Sequence, residues 1–452
     1  MDQRSLELVA QIAAGLAVAM SILALLLSGA GLVAAGMRDR ASNGIERGFR
    51  AALAIALGTG AWAASYAAWG MAFGTPGAAK DVVLAVAGAT ALAAFRHRVP
   101  APAPAQGREP APRWLYALFA SACAVAAAAF VEHTVRFPDG GWEAWMIWNL
   151  RARFLARAAD LHSAFSPAMA FLAHQDYPWL LPGAVAQAFS TFGESRMVPA
   201  AIAALFGALA VAVVTLGVAR AHGARWGLLG GLAVVTLPCF ATFASNQQAD
   251  VPLAVYFAIA AALMTSARSR TELALAGFSA GLGMWTKNEG VLYAACLGIA
   301  WIWRTRDLRG ALAFAAGALP FAALLAWFKL GLAPPNDLAE FSTRATILEN
   351  ALDWRRWAEL LVLTARRVVY FQDFGFWVLA GVLLLWFLRK RPFSVLGTAL
   401  FLACAAYGPI YALQPHRLDW IFRTSADRIL TQLWPVAVLA TMPALARTTA
   451  RT

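Results

Sequence analysis

Charged residues are scarce in this sequence, and their scarcity excludes an ordinary soluble protein. The 37 basic and 24 acidic side chains make up 13% of its 452 residues, whereas a soluble domain carries about 25%. Hydrophobic residues make up 61% and form about thirteen runs that approach the length of a membrane-spanning helix, roughly 20 residues. The runs also lack the alternation of outer-membrane strands. The sequence therefore predicts an all-α polytopic membrane protein, a helical bundle of about thirteen transmembrane helices.

Cysteine is also rare, and nucleotide-binding motifs are missing. The four cysteines lie inside apolar runs, so we expect no disulfide framework. They are Cys123, Cys239, Cys296 and Cys404. No phosphate-binding glycine loop or dinucleotide fingerprint occurs, and the net charge of +13 is explained by membrane topology, so no nucleic acid partner is predicted.

The histidines do not define a metal site. Four of them fall in segments that we expect outside the membrane, with carboxylates nearby but without the spacing of a ligand set. They are His133, His162, His174 and His416. We therefore assign no metal ligand and no certain cofactor, and a divalent metal stays open.

The distribution of lysine and arginine predicts how the chain is threaded. If the N-terminus lies outside, the cytoplasmic side collects 20 Lys and Arg against five Asp and Glu, and the outer side holds 17 against 19. This excess is the positive-inside pattern. We therefore expect a multi-pass protein of the bacterial cytoplasmic membrane, with its N-terminus out and its C-terminus in.

Composition divides the chain into three parts. Residues 1–95 contain three apolar runs, and residues 96–113 form a Pro/Ala-rich cytoplasmic linker, which is extended in character. Residues 114–446 form the remaining membrane module, whose long outer loops at 132–196 and 332–373 each contain a predicted interfacial helix. Most of the basic residues expected outside lie in the long loops, so we expect the chemistry on that face.

The first outer loop carries two acidic residues beside its predicted interfacial helix. Asp139 lies in a Pro/Gly turn, and Glu143 lies between Trp142 and Trp145, where apolar residues recur at spacings of three and four. A carboxylate at the membrane boundary is partly desolvated and can take a proton, as a general base must. Asp139 is alternatively explained as a helix cap.

The rest of this loop supplies candidate substrate-binding residues. Arg151 follows on the same predicted helix and is expected to face lipid phosphates. Asp176 and Tyr177 lie in the segment 174–182, whose two prolines return the chain to the membrane. We expect Asp176 and Tyr177 to lie over the opening formed by Glu143.

Further charged residues stand at the ends of apolar runs. Asp250 opens a run, and Lys287 and Glu289 lie between two runs, where a buried charge is costly unless it is paired or functional. The alternatives are a helix cap for Asp250 and a tight surface hairpin for Lys287 and Glu289. Arginine binds phosphate through two parallel hydrogen bonds. The candidates for this role are Arg366, Arg367, Arg423 and Arg428.

The order of these features resembles that in bacterial GT-C glycosyltransferases, integral membrane enzymes akin to the aminoarabinose transferases and the protein mannosyltransferases. The matching features are the Trp/acid/Ala/Trp cluster at 142–145 and the segments 147–155, 174–182, 249–252, 285–290 and 424–428. The resemblance covers about residues 114–446. The three earlier runs are additional to the pattern.

The resemblance implies a reaction and a catalytic residue. Enzymes of this type transfer a hexose or pentose from a polyprenyl-phosphate donor to a hydroxyl of a lipid, glycan or protein acceptor, at a periplasmic site in the cell envelope. Their catalytic carboxylate lies in the first outer loop, which implies Glu143, with Asp139 as the competing candidate. Glu stands here where the family pattern has Asp. Attack opposite the phosphate implies inversion, with membrane lipids surrounding the site.

Three other functions fit parts of the sequence. A transporter or flippase of lipid-linked sugars also needs many helices, but repeated halves and midplane charges are typical of transporters, and neither is evident. An O-antigen-ligase-like enzyme would carry its arginine-rich loop late in the chain. A structural subunit would not explain the ionisable residues next to apolar runs.

The threading predicts the outcome of reporter fusions. A reporter that is active only in the cytoplasm, fused after Arg157, should stay silent because the first outer loop lies outside. A fusion at Arg225, which the same threading places inside, is the positive control. Activity after Arg157 would overturn the threading.

Overall fold

The computed structural model describes residues 3–37, 43–74, 76–95, 110–157, 161–166, 174–237, 240–336, 343–369 and 394–449. The structure is 86% helical, and no strand occurs among the described residues. The predicted all-α polytopic fold is therefore confirmed.

Most helices up to residue 245 coincide with predicted apolar runs, but the helix Leu180–Phe192 lies inside the predicted outer loop 132–196 and was not predicted. The helices of this part are α1 (Gln3–Gly36), α2 (Gly44–Phe73), α3 (Ala79–Ala94), α4 (Arg113–Arg136), α5 (Asn149–Arg157), α6 (Leu180–Phe192), α7 (Met197–His222), α8 (Ala224–Val235) and α9 (Phe240–Ser245). A π-helical turn, Ala144–Trp148, leads into α5, and a 3-10 turn, Leu161–Phe165, follows α5.

The remaining helices begin at Asp250 and include predicted spans of the C-terminal half of the chain. They are α10 (Asp250–Ser266), α11 (Arg270–Thr286), α12 (Glu289–Thr305), α13 (Leu308–Gly331), α14 (Arg344–Leu352), α15 (Trp354–Val369), α16 (Val395–Ala412), α17 (Leu418–Ile421) and α18 (Asp427–Thr449). A second π-helical turn, Phe422–Ala426, joins α17 to α18. The predicted span 374–388 lies outside the described residues.

Six described helices are long and apolar enough to cross a membrane, fewer than the thirteen predicted spans. They are α1 from Gln11, α2, α4, α7, α13 and α16. The other predicted spans within the described residues also coincide with helices, but these are shorter or less apolar. The chain is a multi-pass membrane protein.

A buried ion network joins α2 to α7 and α11 at the end of the bundle predicted to be cytoplasmic. Arg220 of α7 contacts Glu46 of α2 at 2.8 Å and Glu272 of α11 at 3.1 Å, and Arg50 also pairs with Glu46 at 3.0 Å. Both glutamates lie three residues after a capping side chain, in the capping-box position: Asn43 accepts from the backbone N–H of Glu46, and Ser269 from that of Glu272. The local caps therefore place the two carboxylates of the network.

Glycine allows α11 and α13 to pack backbone against backbone. A Cβ atom added at Gly277 would lie 1.8 Å from the carbonyl oxygen of Phe314, and one at Gly317 would lie 1.9 Å from that of Ala274. Small residues at such positions let membrane helices approach closely. This contact fixes α11, whose last residue precedes Lys287.

We expect Gly277→Ala to loosen this pair of helices. Because the new methyl group overlaps a backbone oxygen, the substitution should cost about 1–3 kcal/mol, seen as a lower unfolding temperature in detergent. Gly408→Ala is the matched control, since a Cβ at Gly408 in α16 meets nothing within 4 Å. Equal stability of the two variants would contradict the close packing.

Candidate active site

Five charged side chains from four separate segments meet at the end of the bundle opposite the buried ion network of Glu46 and Glu272. We call these residues the outer charge cluster. Its members are Glu143, Asp250, Lys287, Glu289 and Arg428. The helices α10 and α11 run between the two ends, and α10, with 17 residues, is about 25 Å long. Each of the five was singled out from the sequence, and the structure brings them together.

Asp250 is the centre of the outer charge cluster. Asp250 is completely buried. Its Oδ1 accepts hydrogen bonds from Lys287 Nζ at 3.0 Å and from Gln432 Nε2. Its Oδ2 accepts a hydrogen bond from Arg428 Nε at 3.1 Å. The alternative of a helix cap is wrong, because α10 has no side-chain cap bond at its start. Both oxygens of Asp250 are occupied by donors, so Asp250 organises its neighbours.

Arg428 connects Asp250 to the first outer loop. Its Nη1 donates to Oε1 of Glu143 while its Nε donates to Asp250. Lys287 makes a corresponding bridge, with Nζ 3.0 Å from both Asp250 Oδ1 and Glu289 Oε1. Two cations therefore hold three carboxylates, and within the cluster the negative charge exceeds the positive by one.

Glu143 has one oxygen bound and one oxygen without a partner. Oε1 accepts from Arg428, whereas Oε2 is buried and accepts no hydrogen bond from the described residues. Glu143 immediately precedes the π-helical turn Ala144–Trp148, and such turns are frequent at functional sites. Trp142 and Trp145 on either side are exposed.

The loop containing Glu143 is held against the turn before Asp250. Asn149 Nδ2 donates to Gln247 Oε1 at 2.7 Å, Gln247 Nε2 donates to the carbonyl of Pro138 at 3.1 Å, and the N–H of Gly141 donates to the carbonyl of Asn246 at 3.1 Å. These bonds set the position of Glu143 relative to Asp250.

Asp139, the competing acid, contacts other residues. Its Oδ1 lies 3.6 Å from Arg153 Nη2 and 3.4 Å from Arg196 Nε. Arg153 in turn contacts Glu194. Among the described residues, Asp139 therefore forms ion pairs with two arginines of the same loop and not with members of the outer charge cluster.

The expectation that Arg151 faces lipid phosphates is wrong. Its side chain is buried, and the guanidinium donates to the carbonyl of Tyr177 at 3.0 Å and to that of His174 at 2.8 Å. Burial lowers the pKa of Arg151 to about 10. The helical spacing of the apolar residues predicted the helix correctly. The segment that begins at residue 174 covers Arg151, and the two hydrogen bonds from Arg151 hold that segment in place.

Asp176 and Tyr177 lie next to the outer charge cluster. Asp176 is buried; its Oδ2 accepts from Asn288 Nδ2 at 2.7 Å and Asn336 Nδ2 at 2.6 Å, and Lys329 contacts it at 3.3 Å. The ring of Tyr177 lies under Lys287 Nζ at 5.8 Å, and burial raises the pKa of Tyr177 well above its ordinary value.

The predicted phosphate-binding arginines occupy different settings. Arg367 pairs with Asp427 at 3.3 Å, directly before Arg428. Arg423 is exposed and pairs with Asp419 at 3.2 Å, and Arg366 is exposed on α15. Only Arg428 of the four belongs to the outer charge cluster. No group of three or more His, Cys, Asp or Glu suited to a metal occurs within the part of the chain that the structure describes.

Sequence reasoning missed the uncharged members of the site. Gln432 is completely buried on α18 and donates to Asp250, and its Oε1 accepts from Tyr293 Oη at 2.7 Å. Tyr407 Oη lies 2.8 Å from Tyr293 Oη. The available signal was the spacing of Gln432, one helical turn after Arg428.

Comparison with known families gives a match over part of the chain. Residues 176–328 match the model of the family described as dolichyl-phosphate-mannose-protein mannosyltransferase. The predicted resemblance is thereby confirmed over this part, whose family model describes a glycosyltransferase domain of the GT-C type. Such enzymes in general use polyprenyl-phosphate sugars as donors. No curated protein and no solved structure matches the chain.

Replacing Asp250 should destabilise the whole protein. Asp250→Asn leaves Lys287 and Arg428 with one carboxylate fewer in a buried site, which should cost about 3–5 kcal/mol and lower the unfolding temperature in detergent.

Asp419→Asn is the matched control for this substitution. Asp419 also pairs with two cations, Arg417 and Arg423, but on the surface, so its loss should cost at most about 1 kcal/mol. Equal losses for the two variants would show that Asp250 is not the centre of the cluster.

Proposed function

We propose that the protein transfers a sugar from a polyprenyl-phosphate donor to an acceptor hydroxyl on the outer face of the bacterial cytoplasmic membrane, with inversion, and that Glu143 is the general base. The observation that carries the proposal is the half-bound state of Glu143, with Oε1 held by Arg428 and Oε2 without a partner among the described residues. The family match over residues 176–328 supports the reaction class.

The geometry suits a base for an acceptor hydroxyl. Arg428 fixes the orientation of the Glu143 carboxylate, and the second oxygen can accept the proton of a hydroxyl while its oxygen attacks the anomeric carbon. The carbon–phosphate oxygen bond breaks as the new glycosidic bond forms. The phosphate leaves with the electron pair of that bond on the opposite side, and inversion follows.

The charges suggest where the leaving phosphate lies. Because carboxylates outnumber cations in the outer charge cluster, the phosphate is better placed at the Arg428 edge of the cluster, toward Arg367, than among the three carboxylates. Arg428 Nη2 makes no hydrogen bond to the described residues, and Arg367 is next to it through Asp427. In this arrangement Arg367 and Arg428 bind the phosphate, while Asp176 and Tyr177 border the sugar.

Deletion of the protein from its host gives a direct cellular test of the reaction. A strain that lacks the protein should accumulate a polyprenyl-phosphate sugar in its lipid extract, because the donor is no longer consumed. This accumulated lipid identifies the sugar and supplies the donor for assays in which membranes of the same strain provide the acceptor. A strain that accumulates no such lipid would contradict the proposal.

We predict that Glu143→Gln abolishes transfer without removing the protein from the membrane. The amide keeps an oxygen for Arg428 but cannot take a proton, so the rate should fall ~10²–10⁴-fold, measured with the accumulated donor and checked by immunoblotting of membranes.

Asp139→Asn is the matched control. Its carboxylate contacts only partly exposed arginines, so the change should cost less than about 1 kcal/mol and leave transfer near the wild-type rate. The reverse result would move the base to Asp139. Full activity of both variants would show that the first outer loop is not the catalytic loop. That result would favour a transporter of lipid-linked sugars.

A further inference from the structure

A chain of buried hydrogen bonds leads into the outer charge cluster from the neighbouring helices α12 and α16. Tyr407 on α16, Tyr293 on α12 and Gln432 on α18 are joined by contacts of 2.8 and 2.7 Å, and Gln432 continues the chain to Asp250. Tyr293 is 1% exposed and Gln432 is not exposed at all. A polar chain of this length among apolar helices is costly unless each group is bonded.

The chemistry of Asp250 fixes the direction of this chain. An ionised carboxylate can only accept, so the amide of Gln432 must turn Nε2 toward Asp250 and Oε1 toward Tyr293. Tyr293 must then donate to Gln432, and its oxygen accepts from Tyr407. Every hydrogen in the chain therefore points toward Asp250.

Gln432 and Arg428 hold Asp250 from the same face of α18. They are one helical turn apart, and each donates to a different oxygen of Asp250: Gln432 to Oδ1 and Arg428 to Oδ2. This two-point contact sets the rotation of the carboxylate. The position of Asp250 in turn sets Arg428, whose other nitrogen holds Glu143.

We propose that Gln432 is a positioning residue for transfer, and that the chain from Tyr407 through Tyr293 sets its amide so that Asp250 and Arg428 orient Glu143. The proposal rests on the proposed role of Glu143 as base. It assigns to Gln432 no contact with the substrate.

The test replaces Gln432 with glutamate, which has the same shape. When protonated, the new carboxyl group can donate to Asp250 and accept from Tyr293, as the amide does. When ionised, it cannot donate to Asp250 and adds a negative charge beside it. Transfer by Gln432→Glu should therefore be near the wild-type rate at acid pH and fall about tenfold for each pH unit above the pKa of the new group, as for the loss of one proton.

Several charged and titratable groups face this position from the helices packed around it. They are Asp250 on α10, Lys287 and Glu289 at the α11–α12 turn, Tyr293 on α12, Cys404 and Tyr407 on α16, Glu143 in the first outer loop and Arg428 on α18 itself. All are common to the wild-type protein and the variant. A new alkaline limb in the variant alone therefore belongs to the introduced group.

Gln187→Glu is the matched control. Gln187 on α6 is also buried, and its Nε2 lies 3.4 Å from Asp81 Oδ2 and 3.1 Å from Ser21 Oγ, but none of these residues joins the outer charge cluster. The same chemical change should lower stability there without altering the pH profile of transfer.

If Gln432→Glu does not fold, a second variant tests the same chain of hydrogen bonds. Tyr293→Phe removes the donor to Gln432, so kcat should fall about fivefold with KM unchanged, the effect of one hydrogen bond. Tyr411→Phe removes a hydroxyl on α16 that bonds to Ser425 instead, and its kcat should stay within about twofold of wild type.

The outcomes separate this proposal from the proposed function. If Glu143→Gln is inactive but Gln432→Glu follows the wild-type pH profile, or is reduced equally at every pH, Gln432 is only structural and the function stands. Unchanged kcat in Tyr293→Phe would likewise overturn the chain. If Glu143→Gln is active, the proposed base is wrong whatever the behaviour of Gln432.

Discussion

The burial of the Asp250 carboxylate is the constraint on which the outer charge cluster depends. A charge without solvent exposure is stable only when it is paired and hydrogen-bonded, and Asp250 gains this from Lys287, Arg428 and Gln432. The two cations that contact this carboxylate, buried Lys287 and partly buried Arg428, then need further negative charge, which Glu143 and Glu289 provide. Four distant segments of the sequence are thereby drawn into one site.

Hydropathy and charge were enough to predict most of the helices and to include the five members of the outer charge cluster among the candidate residues, since an ionisable residue beside an apolar run stands out. Their pairing was not predictable, because no local pattern brings residue 143 to residue 428. The same limit explains Arg151: its helix was correct, but tertiary packing buried a side chain that the helical period alone would leave exposed. Gln432, Tyr293 and Tyr407 carry no charge and had no comparable signal.

The three N-terminal helices are part of the bundle and not an appendage to the family pattern. Helix α2 contributes Glu46 and Arg50 to the buried ion network of Glu46 and Glu272. Trp62 of α2 and Gln187 of α6 both donate to Ser21 of α1. Because α7 and α11 also hold the network, α1 and α2 brace the helices that carry Asp250 and Lys287. Their effect on the site is thus through the scaffold.

The two ion clusters differ in how completely their carboxylate oxygens are hydrogen-bonded. In the network of Glu46 and Glu272, two glutamates face two arginines, and all four carboxylate oxygens accept a hydrogen bond, one from the backbone N–H of Arg268. In the outer charge cluster, Oε2 of Glu143 and Oε2 of Glu289 are buried without a hydrogen bond among the described residues. A buried oxygen without a donor is costly in a folded protein, and strain of this kind is retained where a substrate can relieve it. The end with unmatched carboxylates is therefore the end at which a hydroxyl is expected to bind.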